Sequence, residues 1–399
     1  MVKILNILKN TGPGILITAA FIGPGTVTVC LLAGNNFGFA LLWTMLFATV
    51  TTIILQEMSA RLGLVTGAGL SHAIRQSVHL SIIRYFVFAL IFTGILLGNA
   101  AYEAGNISGT LIGIRMLAGT DTPSYMLNLL VYVPAFILLY FGTFQSIERF
   151  FIVLVVLMSL AFLATAIMSA PDFLPFLQGF KPSLPPESLL TVVGLIGTTV
   201  VPYNLFLHAD IIRQKWQNVN DLPFVKKDTI IAVTIGGLIS GCIIITGASF
   251  AGTAIKGISE LSVPFTQMYG SAGKYLFGFG IFAAGFTSTI TAPLAASLVA
   301  KGLFGWDSEL DKNKIRIVWI IILTTGYILA SVGYKPIEII RIAQFANGLL
   351  LPLIAAFLIW VVNKKDIMGQ FVNSTLQNIL AVFVLIVTLI LGMKGLGLI

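Results

Sequence analysis

The chain has 399 residues, of which 57% are hydrophobic and only 10% charged, with a mean hydropathy of +0.99 and a formal charge of +8. Soluble domains carry about 25% charged residues. So much apolar surface excludes a soluble globular protein and implies an all-α, polytopic membrane protein embedded in the lipid bilayer. The positive charge does not indicate nucleic acid, because the basic residues sit in short loops between apolar runs, where they act as topology signals.

A spanning helix needs about 20 apolar residues. In chain order the candidates are roughly 12–34, 38–60, 83–107, 125–142, 150–170, 189–212, 228–251, 268–300, 315–333, 338–362 and 374–396, about eleven transmembrane helices. The longest connections, 61–82, 171–188, 213–227, 252–267 and 301–314, are too short for a soluble domain, so residues 1–399 are expected to form one transmembrane domain. The first run starts near Gly12, shows no small-residue cleavage site and is expected to be retained. Of the 23 Lys and Arg residues, sixteen fall on one set of loops and ends, among them Lys9, Arg61, Arg149, Lys226 and Lys364. Positive residues favour the inner side. This predicts an integral membrane protein of a bacterial inner (plasma) membrane, with the N-terminus cytoplasmic and the C-terminus outside. Cys30 and Cys242 both lie in apolar runs and give neither a disulfide framework nor a metal-ligand spacing. No P-loop, zinc spacing or Gly-x-Ser-x-Gly appears, so no enzyme and no cofactor is expected.

The chain repeats itself weakly. The first run holds "FIGPGTVT" at its centre and the sixth holds "TTVVPYNLF", Thr198 to Phe206. Pro24 and Pro202 lack the N–H that continues a helix, and Gly23 and Gly25 add backbone freedom. Five spans separate the two breaks, so the second copy enters the membrane inverted. The expected architecture is a 5+5 inverted repeat with broken helices 1 and 6: a first repeat at about 12–170, a second at about 189–362, and an extra helix at about 374–396. Unpaired backbone groups are tolerated in hydrocarbon only where protein or a wet cavity satisfies them. The two breaks should therefore face each other, and such paired interruptions point to a transporter's midplane site.

Four stretches carry a family resemblance. "GPGILITAAFIGPG", "QEMSARLGLVTG" from Gln56, "VPYNLFLH" from Val201 and "GFTSTITAPLAA" from Gly285 resemble, in the right order, the Nramp family of proton-coupled divalent metal transporters. The resemblance covers nearly the whole chain and implies the inverted-repeat (LeuT-type) fold of amino-acid/sodium symporters. The departures fall at the breaks. The family's first break reads Asp-Pro-Gly-Asn, and here the positions are Gly23, Pro24, Gly25 and Thr26. Its second reads Met-Pro-His-Asn or Ala-Pro-His-Asn, and here it is Val201, Pro202, Tyr203 and Asn204. In the third span, Glu103 and Asn106 align with an Asp and a Glu of the family's proton route. His208 matches a family His, and Gln344 resembles a site-lining Gln.

A divalent transition metal wants carboxylate, imidazole or soft ligands, and neither break offers one. One carboxylate at about 4 Å is worth roughly 8 kcal/mol to a divalent ion at an effective dielectric near 20. Its loss without replacement removes roughly five decades of affinity. Thr26, Thr198, Thr199, Tyr203 and Asn204 supply neutral donors and dipoles instead. The expected function is secondary active transport by alternating access. The expected substrate-binding residues are Gly23, Gly25, Thr26, Thr198, Val201, Tyr203, Asn204 and Gln344, with no metal site. The favoured substrate is a small anion such as bicarbonate. The alternatives are a divalent cation, Mg²⁺ or Mn²⁺, carried with proton coupling, and a non-transporting membrane sensor. Glu103, a carboxylate inside a span, and His208 are expected to couple transport to a proton, with sodium the other candidate ion. Glu57 is expected to pair with Arg61 four residues on.

Overall fold

In the computed structural model, residues 22–78, 81–119, 122–141, 145–169, 172–251, 259–306, 308, 311–333 and 335–398 are described. The first half of the predicted 12–34 span and part of the 252–267 connection lie outside them. The described helices are α1 Pro24–Phe37, α2 Leu42–Thr66, α3 Leu70–Ser77, α4 Ser81–Ala118, α5 Ser124–Phe141, α6 Gln145–Met168, α7 Phe173–Gln178, α8 Leu189–Thr199 and α9 Pro202–Ile211. They continue with α10 Leu222–Ala248, α11 Val263–Tyr269, α12 Ser271–Phe304, α13 Lys312–Ser331, α14 Pro336–Val362, α15 Lys365–Met368 and α16 Thr375–Gly395. Among the described residues there is no strand. Each of the ten later predicted spans coincides with a helix, or with the pair α8 and α9, and α1 is the second half of the first.

Two boundaries differ from the expectation for a physical reason. Helix α4 continues eleven residues past 107 to Ala118, and α2 runs on to Thr66 rather than stopping near residue 60. The polar residues that suggest an end, such as Asn106, Thr110 and Ser59, are buried against protein and hydrogen-bonded there. The connections also hold short helices, α3, α7, α11 and α15, which the apolar pattern did not announce.

The interrupted pair α8 and α9 forms the centre. In the most apolar window of Leu189–Gln214, 83% of residues are buried, against 22% for α5 and 28% for α16, which face outward. The inverted repeat is visible in the packing. Helix α1 lies along α10 as α8 and α9 lie along α2, and α4 packs on α14 as α12 packs on α6. Both relations map onto each other by a shift of five spans. Close approach depends on glycine at two crossings. A Cβ on Gly34 would collide with the backbone of Ile244 in α10, and one on Gly197 with the Gln344 carbonyl and Gly348 nitrogen of α14.

Proline alone does not break a helix in this chain. Pro134, Pro293 and Pro352 sit inside continuous helices, whereas Pro24 and Pro202 each open a new one. What differs is the residue before. Gly23 is extended (φ −96°, ψ −176°), and Val200 and Val201 (φ −98°, ψ 73° and φ −74°, ψ 121°) both leave the helical region. The position preceding proline favours extended backbone; at these two places the chain takes it, whereas Val133 before Pro134 stays helical.

At the far end of α2, Arg61 donates from Nε to Glu57 Oε1 at 3.1 Å, the pair expected from their spacing. The same guanidinium donates to the Asn373 carbonyl oxygen of the side chain at 2.6 Å and to the Phe371 backbone carbonyl. Lys226 Nζ and Gln377 Nε2 approach Glu57 at 3.5 Å and 3.4 Å. The cluster ties α2 to the start of α10 and to the segment leading into α16.

Candidate functional site

The two breaks meet, as a chain with no lipid-compatible alternative requires. Thr26 Oγ1 and Thr198 Oγ1 lie 2.8 Å apart in a hydrogen bond that joins the first turn of α1 to the last turn of α8. Both hydroxyls are fully buried. Pro at the first helical position leaves the N–H groups of Gly25 in α1 and of Tyr203 in α9 without an intrahelical acceptor. These helix starts carry partial positive charge.

Around them the predicted residues assemble. Gly25 packs against the Gln344 side-chain amide so closely that any Cβ would displace it. Asn204 is buried with both amide atoms unpaired, and the Tyr203 hydroxyl and Gln344 Oε1 also lack partners. An unpaired buried polar group costs about 1–3 kcal/mol, so a cluster of them beside the breaks is a candidate place for a water or a polar ligand. Val201 forms the extended cap of α9 and is wholly buried.

The two expected coupling residues are also fully buried. Glu103 turns toward α13, where its Cβ and Cγ fill the space over Gly326. Its Oε2 accepts from Asn106 Nδ2 at 3.2 Å, and Oε1 has no partner. His208 lies five residues beyond Tyr203, its Nδ1 2.8 Å from Gln56 Oε1 and its Nε2 unpaired. The Gln oxygen only accepts, so Nδ1 carries the hydrogen in this arrangement.

Two residues at the breaks escaped the sequence reading. Tyr102 packs edge to face on Tyr203, with ring centroids 5.5 Å apart at 68°. A Cβ placed on Gly23 would lie 3.5 Å from the Tyr102 hydroxyl and 3.2 Å from Ser288 Oγ of α12. Tyr102, Asn106 and Gly109 share one face of α4, and Gly109 is pressed against Pro24.

A pocket of about 370 Å³ approaches from one side, lined by Val29, Leu32, Leu190, Gly194, Glu338 and Arg341 among others. Its inner wall lies one turn from the Thr26–Thr198 bond, where a Cβ placed on Gly194 would lie 3.7 Å from Val29 Cγ1 and 3.9 Å from the Gln344 Cβ. Among the described residues, no three His, Cys, Asp or Glu side chains come together as a metal-holding group.

A family model described as natural resistance-associated macrophage protein-like matches residues 14–397. The divalent metal cation transporter MntH of Bradyrhizobium diazoefficiens is 27% identical over 97% of this chain and 89% of its own length. The natural resistance-associated macrophage protein 2 homolog of Dictyostelium discoideum is 24% identical over 94% of this chain and 61% of its own. Among solved structures, a mutant of the Eremococcus coleocola manganese transporter superposes with a TM-score of 0.77 at 21% identity, covering 96% of this chain and 85% of that one. MhsT in complex with L-phenylalanine superposes at 0.63 with 14% identity, covering 98% and 99%. These two likenesses establish the fold. With its broken helices meeting at the centre of an inverted repeat, the chain is an integral membrane transporter and not an enzyme, and it belongs to the Nramp family.

Proposed function

We propose that this Nramp-family transporter moves a small oxyanion of bicarbonate size by alternating access, binding it between the two helix breaks. One observation carries the reading. Every side chain at the breaks is neutral, and the place beside Gly23 where a carboxylate side chain would stand is bordered by the hydroxyls of Tyr102 and Ser288. Hydroxyls, a side-chain amide and the partial positive charge of two helix starts form an anion-binding set. A divalent cation would have to be held by dipoles alone, at a loss of about 8 kcal/mol relative to one well-placed carboxylate.

A second reading is a divalent cation, Mn²⁺ or Mg²⁺. It is favoured by what the MntH relatives are named for and by the unpaired Oε1 of Glu103. Magnesium keeps several of its waters and needs few direct ligands. In either case Glu103 and His208 are the proposed proton-coupling groups, and the basic ends near Arg61 and Lys226 are proposed to face the cytoplasm.

The test is uptake into proteoliposomes. Labelled bicarbonate at alkaline pH and Mn²⁺, read by an internal dye, are compared with protein-free vesicles. The oxyanion reading expects saturable bicarbonate uptake that is lost in Thr26→Ala and Tyr203→Phe, and no Mn²⁺ uptake. Saturable Mn²⁺ or Mg²⁺ uptake abolished by Glu103→Gln, with no bicarbonate flux, overturns it in favour of the cation.

A further inference from the structure

Helix α10 carries a lipid-facing stripe that ends in a basic pocket. Its 27 residues span about 40 Å at about 1.5 Å per residue, against a hydrocarbon core of about 30 Å. The helix is longer than the core, and Lys226, Lys227 and Asp228 place its first turns at the headgroup level. Phe224, Ile231, Ile235 and Leu238 recur at helical spacing on one side and are 48–66% exposed. On a spanning helix such a face is covered by acyl chains. Other faces of α10 pack on α1 and α2. The connection from α9 is shaped by two short 3₁₀ turns, Ile212–Gln214 and Val219–Asp221. It is fixed by Trp216, which packs on Ala60, Leu64, Ile212 and Val225. Lys215 and Trp216 are thereby set beside the start of α10, where with Phe224, Lys227, Asp228 and Ile231 they line a pocket of about 430 Å³. The Lys215 ammonium lies 4.8 Å from the centre of the Trp216 ring.

We propose that this pocket binds the headgroup of an anionic phospholipid, with Lys215 and Lys227 holding its phosphate and an acyl chain lying along Phe224, Ile231, Ile235 and Leu238. Charge selects the anion, because two lysines face one aspartate in the pocket and lysines at a bilayer surface attract anionic lipid. Position selects lipid over a dissolved anion. Trp216 and Phe224 suit the level where hydrocarbon meets headgroups, and Ile231 belongs both to the pocket and to the apolar stripe. This end of the molecule is the one proposed to face the cytoplasm, the leaflet with the negative surface potential. The connection that the lipid would grip leads back to α9, whose first residue opens the second break, and α10 itself lies along α1. A bound lipid therefore holds together parts that frame the breaks. The proposal does not depend on which ion is carried.

The experiment uses the whole purified chain in a neutral detergent. It is titrated with phosphatidylglycerol, with phosphatidylcholine of the same acyl chains, and with inorganic phosphate, and the melting temperature is read each time. Phosphatidylglycerol is expected to raise that temperature saturably, phosphatidylcholine much less, and phosphate not at all. Lys215→Gln and Lys227→Gln alter exposed side chains, so the lipid-free melting temperature should hold. The phosphatidylglycerol concentration at half effect should rise about fivefold for each. Lys181→Gln, which removes an exposed charge far from the pocket in sequence, should leave that concentration unchanged. Equal stabilisation by the two lipids, or the same shift in Lys181→Gln as in the pocket variants, shows attraction without a site and overturns the proposal. Stabilisation by phosphate matching that by phosphatidylglycerol overturns the lipid in favour of a dissolved anion. An unchanged half-effect concentration in both pocket variants also overturns it, whatever their lipid-free melting temperature.

Discussion

Replacing Thr26 by valine preserves shape and β-branching and removes one hydroxyl from the bond that holds the two breaks together. The Thr26–Thr198 contact spans 172 residues of sequence at 2.8 Å between fully buried groups. Its removal leaves Thr198 as a buried hydroxyl whose partner is gone, at a cost of about 1–3 kcal/mol. With an unfolding entropy of about 2.1 cal/mol/K per residue, this corresponds to a fall of roughly 1–4 °C in melting temperature for a chain of this length. The sharper measurement is the cycle of Thr26→Val, Thr198→Val and the double variant, followed by thermal unfolding in detergent. Once one hydroxyl is gone the other contributes nothing further through this bond, so the double variant should fall by less than the two single effects added, with a coupling of about 0.5–2 kcal/mol. Strictly additive losses would refute the idea that the two half-helices are joined by this bond.

Four further outcomes follow from the packing. Arg61→Ala leaves Glu57 buried beside the partly exposed Lys226 and should cost about 3–5 kcal/mol, with Glu57→Gln in the same chain restoring part of the melting temperature. Gly197→Ala drives a methyl into the backbone of α14 and should cost about 3 kcal/mol or more, seen as loss of folded protein on size-exclusion chromatography. Gly241→Ala in α10 meets nothing within 4 Å and should instead stabilise by about 0.5–1 kcal/mol. Cys30, with no exposed surface, should resist a water-soluble maleimide in the folded protein and react after denaturation, which mass spectrometry resolves.

Much of the site was legible because it is written in local chemistry. A proline flanked by glycines, or preceded by two valines, announces a backbone that cannot stay helical, and two such places five spans apart announce their own partnership. The pair Glu57 and Arg61 was legible for the same reason, since a spacing of four residues fixes neighbours on a helix. Tyr102 and Ser288 were not. Each lies in a stretch that reads as ordinary helix, and only the rotation of α4 and α12 about their axes turns them toward Gly23.

The sequence by itself determined an all-helical membrane protein, the inverted repeat and the position of both breaks, because bilayer thickness, backbone hydrogen bonding and proline geometry act on a few residues at a time. Tertiary structure alone decided which hydroxyls lie beside Gly23, that Glu103 packs over Gly326, and that Arg61 reaches Asn373 some 312 positions away. Those outcomes depend on how long helices rotate and slide against one another. That is settled by close packing summed over many contacts, and no short stretch of chain encodes it.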